Sequence, residues 1–413
     1  MDPYVLLPAT LYRTLRLGLE PWGSSMRHFR HIAPEVRQRL FHREPCAFTA
    51  DSPARLLAAA LGATLYSPAT RPRLADDIVK QAGNGVVSMV LCLEDSIDDA
   101  DVVAGEENLV RQFAGLAARP GVEPPLLFIR VRTPEQIPDL VRRLGPSVRL
   151  LSGFVLPKFT EERGIPFLEA LTAAEALSGR RLFAMPVLES PELLYRESRV
   201  DTLEGIARAV DKYRDRVLAL RLGVTDFCSS YGLRRAPDMT AYDVQIVASV
   251  IADVVNMLGR ADGTGFTVTG PVWEYFRVSE RMFKPQLRQS PFLEVQAVEL
   301  REKLIEHAMD GLLREISLDQ ANGLLGKTCI HPSHVLPVHA LSVVSHEEYS
   351  DAQDILRPER GGGGVLRSAY TNKMNEVKPH RAWAERTLLR AEVFGVAHED
   401  VGFVELLAAG MNA

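Results

Sequence analysis

Short apolar, β-branched runs alternate along this chain with longer stretches whose apolar residues recur at helical spacing. Eight runs predict strands: ATLYS at 63–67, VVSMVLCLE at 86–94, LLFIRVR at 126–132, LLSGFVLP at 150–157, RLFAMPVLE at 181–189, VLALRLGV at 217–224, GFTVTG at 265–270 and KTCIHP at 327–332. The stretches AGEENLVRQFAGLAAR from 104, PEQIPDLVRRLG from 134 and TAYDVQIVASVIADVVNMLG from 240 predict intervening helices. Repeated βα units imply a parallel sheet. Eight of them, with no GxGxxG turn after any strand, favour an α/β fold of the closed TIM (β/α)8 type over an open doubly wound sheet.

Spacing places the remaining segments. Strands 7 and 8 are separated by an insert at about 271–315, whose amphipathic pattern over 291–313 predicts a long helix suited to a lid or an oligomer contact. Residues 1–60 form an expected N-terminal helical extension, broken at Pro21, Pro34, Pro45 and Pro53. The barrel is expected over 61–345 and a C-terminal helical extension over 346–413, with helical patterns at 346–356 and 379–394 flanking a Gly361–Gly364 hinge.

Composition narrows the class. The chain has 413 residues, 46% hydrophobic and 24% charged, which is globular rather than disordered. Lys and Arg total 48 against 53 Asp and Glu, so the basic footprint of a nucleic-acid binder is missing. No uncharged apolar run reaches the ~18 residues of a membrane span, and the start MDPYVLLPATLYRTLRLGLE lacks the order of a secretory signal, so a cytoplasmic location is expected. Cys46, Cys92, Cys228 and Cys329 form no CxxC pair and are expected to be buried thiols.

In a (β/α)8 barrel the chemistry sits at the C-terminal strand ends, and here those ends are charged. Strand 1 is followed by Arg71, strand 2 ends in Glu94 and Asp95, strand 3 carries Arg130 and Arg132, strand 4 leads to Lys158, strand 5 ends in Glu189, strand 6 runs to Asp226, and strand 8 reaches His331. Adjacent strands lie ~4.8 Å apart, so Glu189 and Asp226 at similar height can share a small hard cation such as Mg2+ or Mn2+. The alternative is that each caps the following helix or pairs with an arginine. The arginines offer planar clamps for carboxylate or phosphate, although alternation points Arg130 and Arg132 to the same side, which leaves open whether both face the interior. Lys158 is either a salt-bridge partner of Glu94 or Glu189, or an electropositive substrate contact or Schiff-base amine.

These segments resemble the HpcH/HpaI aldolase and citrate lyase beta-subunit superfamily: LYSPATRP at 65–72, VLCLEDSI at 90–97, FIRVR at 128–132, GFVLPK at 153–158, PVLESP at 186–191, LGVTDF at 222–227, GKTCIHPSHV at 326–335 and GGGGVLRSAYTNKMNEVKPH at 361–380. The longer N-terminus and the insert resemble a subgroup of carbon–carbon lyases associated with tellurite-resistance and stress gene clusters. The resemblance implies a divalent-metal-dependent carbon–carbon lyase or aldolase working through an enolate of a keto acid or an acyl-coenzyme A thioester. It implies metal binding by Glu189 and Asp226, substrate binding by Arg71 and Arg130, and an acidic pair, Glu94 and Asp95, near the metal. Arg130 is expected to pair with the developing oxyanion, Asp95, Glu94, a metal-bound water or His331 to move the proton, and Lys158 to be a further substrate contact. It further implies a homo-oligomer, a trimer or hexamer, in which the Gly361–Gly364 region completes another protomer's site. The family's usual Asn two residues after the strand-3 Arg is Arg132 here. Competing expectations are a Schiff-base aldolase using Lys158, a phosphoenolpyruvate-using enzyme on a related barrel, and a catalytically idle barrel that binds partners in a stress-response assembly.

Overall fold

The computed structural model describes residues 25–276, 309–357, 359 and 363–411. All eight predicted strands form: β1 Ala63–Pro68, β2 Ser88–Cys92, β3 Leu126–Arg130, β4 Leu151–Leu156, β5 Phe183–Leu188, β6 Leu220–Leu222, β7 Val268–Thr269 and β8 Lys327–Cys329. They pair in parallel in the spatial order β7-β6-β5-β4-β3-β2-β1-β8, and a parallel bridge between Gly270 and Lys327 joins the two ends. The chain is a TIM barrel.

The strands are apolar on both faces because the interior is filled and helices cover the outside. Every residue of β2, β3, β4 and β5 is buried. The outer helices include α1 Leu74–Gly83, α2 Val102–Ala117, α3 Gln136–Leu144, α4 Glu161–Ser178, α5 Arg199–Lys212, α6 Gln245–Leu258, α7 Met309–Ala321 and α8 Val335–Ser342. On α3 the apolar positions Ile137, Leu140, Val141 and Leu144 form one buried stripe. Each such side chain contributes roughly 1.5–3 kcal/mol by leaving water. Helix α4 starts where the Thr160 hydroxyl accepts the Arg163 N–H, and it stops at Gly179, whose φ of 65° is left-handed.

Alternation along the strands sorts the polar residues. In the barrel interior Thr64 Oγ1 accepts from Ser88 Oγ at 3.0 Å and from Arg221 Nη1 at 3.4 Å. Lys327 points outward instead, and its ammonium pairs with Glu315 and Asp319 of α7, at 2.7 Å each. Arg235 completes this buried network at 2.7 Å from Glu315, and the Tyr242 hydroxyl donates to Asp319 at 2.8 Å.

The flanking segments hold helices and, beyond what periodicity predicts, short strands. Before the barrel lie helices Pro34–Leu40 and Ala54–Ala60, and between them strand Phe41–Arg43 pairs antiparallel with Val396–Ala397 from the far end of the chain. After the barrel come the predicted helices, at His346–Ile355 and Arg381–Phe394, together with a hairpin of Val365–Arg367 and Met374–Glu376 and a last helix Phe403–Met411. Most of the predicted 291–313 helix, residues 1–24 and Gly361–Gly362 lie outside the described residues.

Candidate functional site

Arg130, the last residue of β3, is the hub of the barrel mouth. Its Nη2 lies 2.8 Å from Glu94 Oε2, 2.9 Å from Glu189 Oε1 and 3.2 Å from Asp95 Oδ2. Glu94 and Asp95 follow β2, and Glu189 directly follows β5. Lys158 follows β4 with a φ of +48°, an uncommon conformation for a non-glycine residue. That turn aims its backbone N–H at Glu189 Oε1, 2.9 Å away, while its ammonium reaches Glu94 Oε1 at 3.0 Å. The salt-bridge expectation for Lys158 therefore describes the geometry. Although desolvation opposes it, the bond to Glu94 raises the Lys158 pKa, whereas a Schiff-base amine needs it lowered.

Asp226 corrects a boundary. Strand β6 ends at Leu222, and Asp226 sits in the first turn of a short helix, Val224–Ser229. At that point Gly223 stands against Glu189: a Cβ on Gly223 would lie 2.2 Å from Glu189 Cβ and 2.6 Å from its Oε2. Carboxylate oxygens of Asp95, Glu189 and Asp226 all lie within 4.8 Å of one another. The sequence pairs only Glu189 with Asp226, and the structure adds Asp95.

Electrostatics follow from this crowding. Burial, opposed by Arg130 and reinforced by Asp226, pushes the Glu189 pKa up to about 7. Burial and the nearby Asp95 raise Asp226 as well. Burial and the hydrogen bond with Asp95 raise Glu94. Burial alone would raise Asp95, but the bond to Glu94 and the charges of Arg130 and Lys158 hold it below its usual range. Burial would lower Arg130, yet Glu189, Tyr66 and Glu94 hold its proton more firmly than usual. When ionised, the four carboxylates outnumber the two cations Arg130 and Lys158 by two charges in a half-buried mouth. A hard divalent cation matches that surplus and that donor set.

Arg132 and Arg71 stand apart from the cluster. Arg132 is not a second interior clamp: β3 has ended, and its guanidinium donates to the carbonyls of Leu93 (2.6 Å), Ile97 (3.1 Å) and Glu94 (3.2 Å) and pairs with Asp99. It staples the loop that carries Glu94 and Asp95. Arg71 is half exposed and pairs with Asp77 at 2.6 Å, outside the carboxylate cluster. His331 hydrogen-bonds to Ser333 Oγ at 2.7 Å and stacks on Phe276 with ring centroids 4.5 Å apart. Beside the cluster opens a cleft of ≈ 460 Å³, bordered by Glu94, Arg132, Lys158, Arg163, Pro166 and Phe167.

Sequence reasoning missed Gly223, Tyr66 and Arg221. Gly223 was legible in the LGVTDF segment as a residue without a side chain next to a strand end. Tyr66 and Arg221 looked like ordinary strand residues, because facing inward is a property of the barrel rather than of the segment.

A family model described as a carbon–carbon bond lyase of the TIM-barrel fold matches residues 55–396. No curated protein sequence matches the chain. Among solved structures, a citrate lyase from Burkholderia xenovorans is similar at 15% identity and a TM-score of 0.57, over 84% of this chain and 95% of that one. CitE from Mycobacterium tuberculosis, in complex with magnesium, acetoacetate and coenzyme A, is similar at 20% identity and a TM-score of 0.47, over 81% of this chain and 99% of that one.

Proposed function

Because the chain belongs to the carbon–carbon bond lyases of the TIM-barrel fold, we propose that it is a divalent-metal-dependent lyase acting through an enolate of a keto acid or an acyl-coenzyme A thioester. The observation that carries this reading is the grouping of Asp95, Glu189 and Asp226 oxygens within 4.8 Å, in a mouth with surplus negative charge. These three residues would hold Mg2+ or Mn2+, and the bound ion would supply Lewis-acid stabilisation of enolate charge.

The chain's own residues do the rest. Arg130, buried and fixed by three carboxylates, presents a permanent positive charge beside the reacting oxygen. Lys158 and the Arg132 staple hold the loop bearing Glu94 and Asp95 at a set height. Glu94, which is outside the three candidate ligands and whose pKa is raised by burial and by its hydrogen bond with Asp95, is the group placed to hold or deliver a proton at the mouth, with Asp95 as its hydrogen-bonded neighbour on the metal side. Arg132, Lys158 and Arg163 line the neighbouring cleft and favour an anionic substrate portion there, with Arg71 as a further anion contact at the rim. The hairpin that follows the glycine run leaves Val365 and Met374 more than half exposed, which supports assembly into a homo-oligomer.

Calorimetric titration of Mg2+ and Mn2+, with and without oxalate as a planar mimic of the pyruvate enolate, tests the reading. Metal binding that Asp226→Asn abolishes, and oxalate binding that needs the metal, are expected. A wild-type protein that binds neither ion would sink it.

A further inference from the structure

Arg221 lies in the middle of β6, two residues before Gly223 and therefore on the same inward face. It sits about 7 Å along the strand beneath the position that touches Glu189. Only 1% of its surface is exposed. Four Arg and Lys residues are buried among the described residues, and three of them, Arg130, Arg235 and Lys327, are paired with carboxylates. Arg221 alone has no carboxylate partner there. Its Nη2 donates to Thr328 Oγ1 at 2.7 Å and its Nη1 to Thr64 Oγ1 at 3.4 Å, while Nε has no partner. Neutral hydroxyls satisfy hydrogen bonds but leave the charge uncompensated, and a buried cation without a counter-ion is costly to hold.

What this charge does contact is Tyr66: the guanidinium carbon lies 5.4 Å from the centre of the phenol ring. Tyr66 shares the inward face of β1 with Thr64 and is half-buried. It interacts electrostatically with Arg130 and Glu189 as well as with Arg221. Tyr66 is thus packed against Arg221 and lies within electrostatic reach of Arg130 and Glu189 of the cluster. No hydrogen bond among the described residues engages its hydroxyl, and the oxygen keeps access to solvent. Burial, against the pull of Arg221, keeps the phenol protonated at neutral pH and hence able to donate.

We propose that Tyr66 is a catalytic hydrogen-bond donor of this site, its hydroxyl donating to the anionic oxygen of the enolate, with Arg221 as the positioning residue beneath its ring. The donor oxygen gains negative charge as the bond strengthens, and the uncompensated guanidinium stabilises that charge where no carboxylate competes for it. This assignment rests on the enolate-lyase reading and adds a residue to it.

The test titrates Mg2+, and then oxalate in the presence of Mg2+, into the full-length protein and into Tyr66→Phe, which keeps the ring over Arg221. Mg2+ affinity should stay within about twofold, while oxalate affinity falls about 10- to 100-fold, the loss of one hydrogen bond to a charged acceptor. Arg221→Met, which preserves length and removes the charge, should weaken oxalate in the same direction and leave Mg2+ affinity in place. If Arg221→Met does not fold, Tyr66→Phe decides alone. Oxalate affinity unchanged in Tyr66→Phe overturns the assignment and leaves the lyase reading intact, as does a wild-type protein that binds Mg2+ but no oxalate. A wild-type protein that binds no metal removes the lyase reading itself.

Discussion

Gly223→Ala isolates the geometry of the candidate metal centre from its chemistry, because it adds one methyl group and changes no charge. The Gly223 φ of −93° suits alanine, so the substitution introduces no backbone strain of its own. The added Cβ would lie 2.2 Å from Glu189 Cβ, against a normal carbon–carbon separation of about 3.5–4.0 Å. A side-chain rotation cannot relieve this clash, since the Glu189 Cβ is fixed to its backbone. Strands β5 and β6 must therefore separate by about 1 Å or more, enough to stretch the 2.9 Å Arg130–Glu189 contact beyond hydrogen-bond range. Overpacking of this kind costs about 1–3 kcal/mol, and displacing a supporting contact lowers metal affinity about 10- to 100-fold. Chemical denaturation followed by circular dichroism and Mn2+ titration followed by electron paramagnetic resonance read the two quantities separately. Stability and Mn2+ affinity both equal to wild type would refute the claim that Gly223 seats Glu189.

Four further outcomes follow from the same geometry. Glu189 has a folded pKa of about 7 against an ordinary value near 4.5, so its contribution to metal-free stability is complete below about pH 4.5 and is lost as pH rises towards 7. Melting curves should show that decline, Mg2+ should reverse it with a gain that grows over the same window, and Glu189→Gln should flatten it; a wild-type profile as flat as the variant's would count against the assignment. Arg132→Ala removes the staple on residues 93–99, so hydrogen exchange there should speed up at least about tenfold with little change elsewhere, and unchanged protection would show that the loop holds itself. Lys327→Met leaves Glu315 and Asp319 buried without their shared ammonium and should cost about 3–5 kcal/mol in denaturant unfolding; a loss under about 1 kcal/mol would contradict the network. Lys158→Gly should keep the +48° turn and its N–H bond to Glu189 while losing the contact to Glu94, so metal affinity should persist, and a collapse of metal binding would mean that the ammonium, rather than the turn, supports the site.

The pattern of apolar and β-branched runs located all eight strands, since most of them are buried on both faces and leave a readable local mark. Residue identity together with strand-end position was enough to single out Glu94, Asp95, Arg130, Lys158, Glu189 and Asp226, the groups that meet at the mouth. What the segments could not encode is which side chains share one space, because that depends on the tilt and stagger with which eight strands close. Arg130 and Arg132 look equivalent in the string RVR, yet β3 ends between them, so that one is the hub and the other binds a neighbouring loop. Asp95 joins Glu189 and Asp226 only because strands β2, β5 and β6 deliver their ends to one mouth. The pairing of Phe41–Arg43 with Val396–Ala397 joins the two ends of the described chain, and no local pattern announces such a contact. Tyr66 and Arg221 are the extreme case: each is an unremarkable strand residue in sequence, and only barrel closure sets the Arg221 guanidinium against the Tyr66 ring.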